Sequence, residues 1–192
     1  MKKTTSKSTP YGPVVIIWKG CGSNAAIIRV LLSGPDASAV QKVAQFYPGT
    51  QDACCAKIDS VSLAICRFLE GEPVDFDLYV ADLSVCKEFQ QRVLRAEHSI
   101  GRGHVSTYKL IAIHLGVPLG ARAVGNALAK NPFPLIVPCH RAIRSDCGIG
   151  GYQGGADMKR SLLSKEGIAF DSYGRVKCSR FHYGWKDWTE QS

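Results

Sequence analysis

The residues best suited to chemistry lie in one stretch, Asn131-Pro-Phe-Pro-Leu-Ile-Val-Pro-Cys-His-Arg141. Three prolines within seven residues force extended or turning backbone and remove amide donors, so this stretch cannot be a central strand. Cys139 is followed at once by an imidazole, His140, and a guanidinium, Arg141. Both neighbours can favour a thiolate, which is the nucleophilic form of cysteine. A buried structural cysteine accounts for the dipeptide equally well, and in an extended chain Cys139 and His140 would point to opposite faces. The loop downstream shifts that balance. Cys147-Gly-Ile-Gly-Gly-Tyr-Gln-Gly-Gly155 has five glycines in nine residues, which permits close backbone approach to a ligand. Tyr152 offers a flat face for stacking, and Glu166, beyond a helix predicted over 157–165, is a carboxylate candidate for His140.

Two short helices precede this chemistry. Thr107–Leu115 and Ala121–Lys130 flank the turn Gly116-Val-Pro-Leu-Gly120, the outline of a helix-turn-helix. The second helix is nearly all small residues, with Gly125 costing about 1 kcal/mol relative to alanine. Either tight packing or close approach to another surface explains such smoothness. Arg122 is the one long side chain near its start.

Charge distribution points the same way. Residues 1–90 hold nine Lys/Arg and nine Asp/Glu, whereas residues 91–192 hold fifteen and seven, so the whole net charge of +8 lies in the second half. A basic surface on one domain attracts polyanions, of which nucleic acid is the commonest, although a solvated basic face is the plain alternative. Eight cysteines without Cys-x-x-Cys spacing or a secretory leader suggest reduced thiols in an intracellular compartment. No apolar run approaches the ~20 residues of a membrane span.

The elements that must carry these residues divide in two. At 192 residues the chain is long enough for two small domains. The first, residues 1–82, reads as an α/β domain of a small sheet plus helices. Residues 1–11 are expected to be a flexible polar tail. Val14–Trp18 and Ala25–Leu32 are expected as a strand hairpin, Asp36 as the cap of a helix to Phe46, and Ile58, Val61, Ile65, Phe68 and Leu69 as one face of a helix ended by Gly71. Asp75–Val80 alternates like a strand. The second domain, residues 83–192, reads as mainly helical. It opens with a helix from Ser84 to Ala96 whose apolar face is Val85, Phe89, Val93 and Leu94.

Together, Val137-Pro-Cys-His-Arg141, Asn131-Pro-x-Pro134, Arg122-Ala-Val-Gly125, Val105-Ser-Thr-Tyr108 and Gly151-Tyr-Gln-Gly154 resemble the signature of the O6-alkylguanine-DNA alkyltransferases. The likeness spans about Phe89 to Ala169; the N-terminal half matches only in size and α/β character. The resemblance implies a C-terminal domain with a helix-turn-helix of the winged-helix type. It also implies irreversible, stoichiometric transfer of an alkyl group from guanine to Cys139, with no cofactor and no metal. Cys139 would be the acceptor, His140 its base through a water, and Glu166 the group orienting His140. Asn131 would brace the turn, and Tyr108 would contact or protonate the flipped base. Arg122 would fill the gap in the base stack while Ala121, Ala123, Gly125, Asn126 and Lys130 meet DNA. Tyr108, Leu128, Tyr152 and the backbone of Ala142 and Gln153 would line the guanine pocket. The implied partner is double-stranded DNA containing O6-alkylguanine, bound by a monomer without any membrane. The implied compartment is intracellular: cytoplasmic in a prokaryote, nuclear in a eukaryote. Relatives that bind lesions without transfer usually carry tryptophan at the acceptor position, so Cys139 argues against that alternative; a cysteine hydrolase and a transcription factor are the other rivals. Gln153 stands where several relatives have a small hydroxyl residue, and Cys147 has no assigned role. The aromatic, basic tail beyond Phe170 is expected to pack on the core or extend the DNA surface.

Overall fold

A computed structural model describes residues 1–178 and 181–184. The chain forms two compact units: Met1–Val85 with Pro132–Ile136 and Gln153–Gly155, and Cys86–Asn131 with Val137–Tyr152 and the residues from Ala156 onward.

In the first unit, β1 (Lys3–Lys7), β2 (Val14–Lys19) and β3 (Ala26–Leu32) are followed by α1 (Ala39–Phe46), β4 (Gln51–Asp52) and α2 (Ala56–Glu70). The sheet order is β3-β2-β1-β4, antiparallel except for the parallel β1–β4 pair. Apolar β2 is buried along Val14–Trp18, with Ile17 and Trp18 closed off from solvent. One face meets α1 through a cluster of Val15, Ile17, Ile28, Leu31 and Ala39. Ile58, Ser62, Ile65, Phe68 and Leu69 form the buried stripe of α2, which stops at Gly71 in the left-handed region (φ 110°).

Four expectations change here. The supposed flexible tail is β1, an inner strand: Thr4 is buried, and Lys3 lies over the Trp18 ring at 4.7 Å while donating to Gly20 O. Its polar composition hid a β-compatible Thr-Thr pair whose neighbours supply the apolar surface. The cap of α1 is Ser38 rather than Asp36, because only Ser38 closes a reciprocal capping box with Gln41. Asp75–Val80 is not a strand; Asp77 accepts from the Tyr79 N–H at 2.8 Å and tightens the chain into a turn. The helix expected from Ser84 begins only at Glu88, since Asp82 takes both the N–H and the hydroxyl of Ser84, leaving Val85 49% exposed.

The second unit contains α3 (Glu88–His98), β5 (Ser106–Thr107), α4 (Tyr108–His114), α5 (Ala121–Ala129), β6 (Ala142–Ile143), α6 (Ala156–Lys165), β7 (Ala169–Phe170) and β8 (Val176–Lys177). The expected pair of short helices is present as α4 and α5, capped at its start by Thr107, whose hydroxyl accepts from the Leu110 N–H. Gly116 has φ 76°, and a Cβ on Gly120 would sit 2.8 Å from Val117 O, so the turn needs both glycines. Gln90 of α3 donates to Ala127 O and Lys130 O and thereby satisfies carbonyls at the end of α5. Short β5 pairs in parallel with β6, placing Tyr108 next in chain after one strand and Arg141 just before the other. From the tail, Phe181 packs on the Val105–Ile143–Leu163–Val176 core, and Tyr183 stacks on His114 at 3.8 Å. The tail residues 185–188 lie outside the described residues.

Candidate active site

Cys139, His140 and Arg141 form a single tight turn immediately before β6, all three buried. Of the extended or turning backbone that the prolines allow, the chain takes the turn, and this lets consecutive side chains serve one site. Its N-terminal approach is braced by Asn131, whose Nδ2 donates to Val137 O at 3.1 Å. Burial pushes the Cys139 thiol up to about 11, with a hydrogen bond from Asn131 and the Lys159 charge pulling the other way. The resting group is therefore a neutral thiol. The expectation that its neighbours hold it as a thiolate is overturned, because desolvation in a closed interior outweighs them.

Glu166 accepts from His140 Nε2 at 3.0 Å and from Arg141 Nε and Nη2 at 2.9 and 2.8 Å. Burial alone would raise this carboxyl, but the hydrogen bonds from His140 and Arg141 hold it at about 2. Arg141 also donates to Ile100 O, so its guanidinium is spent on anchoring Glu166 rather than on Cys139. Burial lowers the His140 pKa against the pull of Glu166. A neutral imidazole that donates from Nε2 to a carboxylate carries its basic lone pair on Nδ1. The site thus holds a neutral thiol, a neutral base and a fixed anion behind the base.

Tyr108, first residue of α4, is kept protonated: burial raises its hydroxyl to about 12, and the Glu97 and Cys139 charges add to this. The same hydroxyl lies 2.9 Å from where a Cβ on Gly150 would stand, and Gly150 has φ 69°, so only glycine fits there. The Tyr152 ring stands edge-on to His140 with centroids 6.2 Å apart. Cys139, His140, Glu166, Asn131 and both tyrosines therefore share the second unit.

The remaining expected residues are placed as follows. Arg122, Ala123, Asn126 and Lys130 are exposed on or at the end of α5, while Ala121 and Gly125 are half-buried. A Cβ on Gly125 would meet Tyr108 Cδ1 at an ordinary 3.9 Å, so crowding inside the protein does not demand this glycine. Leu128 is buried on the inner face of α5 with Val124 and Ala127. Ala142 O accepts from Lys159 Nζ at 2.6 Å. Gln153 belongs to the first unit, where its side-chain oxygen accepts from the Leu32 N–H at 3.1 Å.

Two buried charges were missed, Lys159 and Glu97, both closed off from solvent. The signal was present. Each interrupts an apolar helical stripe, Glu97 after Val93 and Leu94, and Lys159 before Leu162 and Leu163.

The Asn131 brace gives a direct expectation. Asn131→Ala leaves the buried Val137 carbonyl without its donor and should cost about 1–3 kcal/mol. Urea unfolding of the variant against the wild type measures this.

Residues 88–168 match the family described as 6-O-methylguanine DNA methyltransferase, DNA binding domain. A methylated-DNA–protein-cysteine methyltransferase of Methanothermobacter thermautotrophicus is 46% identical over 114 residues, covering 59% of this chain and 61% of that protein. The chain thus spans about three fifths of that relative's length. The corresponding protein of Sulfolobus acidocaldarius is 44% identical over 109 residues, covering 57% and 67%. The crystal structure of Mycobacterium tuberculosis O6-methylguanine methyltransferase superposes with a TM-score of 0.69 at 29% identity, over 86% of this chain and 93% of that one. A Mycobacterium tuberculosis OGT solved in complex with DNA gives 0.65 at 30% identity, over 86% and 91%. By these similarities of sequence and fold, the chain belongs to the O6-methylguanine-DNA methyltransferase family, the methylated-DNA–protein-cysteine methyltransferases.

Proposed function

We propose that this protein repairs duplex DNA by moving the alkyl group of O6-alkylguanine irreversibly onto Cys139. The observation that carries this reading is the buried Cys139 thiol in one turn with His140, whose Nε2 is held by the Arg141-anchored Glu166. The proton leaves Sγ for His140 Nδ1, through a water, as the sulfur attacks. A new Sγ–alkyl bond forms, the alkyl–O6 bond breaks, and guanine departs with the electron pair. Tyr108, which stays protonated, hydrogen-bonds the departing base, and the proton taken from Sγ by His140 passes on through water to neutralise the guanine, so protons balance. A thioether is stable, so each molecule acts once.

A paired base lies out of reach, so the target must be rotated out of the helix at a cost of a few kcal/mol, which is lower for a badly paired lesion. We read α4 and α5 as a helix-turn-helix of the winged-helix type with α5 against the groove. Its outer face of Ala123, Asn126 and Ala129 admits close approach, and Arg122 stands ready to take the vacated place in the stack. Gly125 is explained by that approach, since nothing inside the protein requires it. Tyr152 and the backbone at Ala142 line the base pocket in this reading, with Leu128 behind it. The protein acts as a monomer inside the cell.

The test is stoichiometric. Incubation with a duplex carrying one O6-methylguanine should add the mass of one CH₂ to the intact protein, confined to the peptide containing Cys139, and product should plateau at one equivalent. Continued turnover, or label spread over Cys147 and Cys178, would overturn the assignment.

A further inference from the structure

Arg144 directly follows β6 and opens the glycine-rich loop that leads to Tyr152. Its backbone is fixed twice. The Arg144 N–H donates to Gly148 O at 2.9 Å, and the Cys147 N–H donates to Arg144 O at 3.0 Å, which puts Cys147 in the left-handed region (φ 63°). The Val176 N–H of β8 donates to Cys147 O and ties this turn to the second unit. Asp146 completes it. One carboxylate oxygen accepts from the Gly148 N–H at 3.0 Å, and the other accepts from Arg144 Nη2 at 2.7 Å. The guanidinium is therefore held in place although the Arg144 side chain is 63% exposed.

Tyr108 lies beside it. The Tyr108 hydroxyl and Arg144 Cγ stand 2.9 and 3.7 Å from the point where Gly150 would carry a Cβ, and Arg144 Cδ stands 3.5 Å from the corresponding point on Gly148. The loop thus places no side chain of its own between the tyrosine and the arginine stem. One residue further on, a Cβ on Gly151 would meet nothing within 4 Å, so the surface is open there. Cys139 is buried, Tyr108 half-buried and Arg144 exposed. Stability does not account for the arginine. An exposed ion pair contributes little to folding, and Asp146 is already held by Gly148. Asp146 engages only Nη2, and Arg144 Nε and Nη1 make no hydrogen bond among the described residues.

We propose that Arg144 receives a backbone phosphate flanking the extruded nucleotide, as a binding residue on the rim of the base pocket. This rests on the function proposed above. A base that reaches Tyr108 carries its own sugar and flanking phosphates to the surface around that tyrosine. A guanidinium meets a phosphate through parallel N–H···O bonds, and Arg144 keeps donors available for them while Asp146 fixes its direction. Arg122 is assigned to the vacated stack, and Ala123, Asn126 and Ala129 on the outer face of α5 carry no charge, so this phosphate falls to Arg144.

The test uses a duplex with one O6-methylguanine, made with ordinary phosphates or with a neutral methylphosphonate on either the 5′ or the 3′ side of the lesion. Arg144→Ala should slow single-turnover transfer from the ordinary duplex by about ten- to a hundredfold, the worth of a hydrogen bond between charged groups. On one of the two methylphosphonate duplexes the wild type should already show that loss, and Arg144→Ala should add nothing further. Arg144→Lys, which keeps the charge without the planar fork, should recover part of the rate on the ordinary duplex. An Arg144 that only shapes the loop would cost the same factor on all of these duplexes. That equality, or an unchanged rate on the ordinary duplex, overturns the proposal. If the wild type transfers no alkyl group at all, the function proposed above fails, and dissociation constants for the same duplexes decide the phosphate contact by the same comparison.

Discussion

Glu166→Gln should be among the most damaging single changes in this protein, costing about 3–5 kcal/mol of stability, because it strands a buried guanidinium. Arg141 directs two nitrogens at the carboxylate and is itself buried, and a glutamine amide would turn an N–H₂ toward at least one of these donors. The protonation equilibrium gives a second, independent measure. The Glu166 carboxyl is held at about 2 against an ordinary 4.5, a difference that corresponds to about 3 kcal/mol. A depressed carboxylate contributes fully above its unfolded value and loses that contribution as pH falls through its folded value. Wild type and variant should therefore differ most near neutrality and converge as pH drops from about 5 toward 2. Denaturant unfolding across that window checks the sign and the size together. Transfer should suffer as well, by on the order of 10²–10⁴-fold, since His140 loses the partner that fixes its tautomer and orientation.

Arg122→Ala should produce the other large effect, and a selective one. Arg122 is exposed on the first turn of α5. If it occupies the space of an extruded base, its removal returns the unstacking cost of a few kcal/mol to the duplex reaction. Single-turnover repair of a duplex lesion should slow by two or more orders of magnitude. Reaction with free O6-benzylguanine, which needs no extrusion, should hardly change. Lys130 provides the contrast. A lysine that only neutralises a phosphate weakens binding to all sequences and lowers the salt slope by about one when removed. Equal slowing of free base and duplex by Arg122→Ala would remove it from the DNA interface and make it a support of the active site.

The candidate turn stands out in the sequence because its residues are local: Asn131, the prolines, Cys139 and His140 lie within ten residues. The α4–α5 pair was legible for a similar reason, its small residues and paired glycines being contiguous. What escaped notice depended on distant partners. β1 looks like a polar tail until β2 and β4 flank it, and Val85 fits a helical stripe until Asp82 captures Ser84. Arg141 looked like an activator of the neighbouring thiol, but a carboxylate 25 residues away claims it. Glu97 and Lys159 were visible as breaks in apolar stripes, yet only the fold shows both closed off from solvent. The thiol's raised pKa could not be read from neighbours at all, since desolvation depends on how the whole unit closes around it.

The outer edge of β3 is completed by late-arriving chain. Val30 N–H donates to Pro132 O, Leu32 N–H to the Gln153 side chain, and Ile27 O accepts from Asp82 N–H. During synthesis, then, the first 85 residues leave the ribosome with two amides of an apolar strand still unpaired, Val30 until residue 132 follows and Leu32 until residue 153 does. An uncovered edge of that kind is a template for pairing with other chains. The acceptor segment is made between the two pieces that close this edge. A nascent chain stalled or cleaved before residue 153 therefore leaves the first unit with an adhesive border, whereas a completed chain seals it with the residues that flank its own nucleophile.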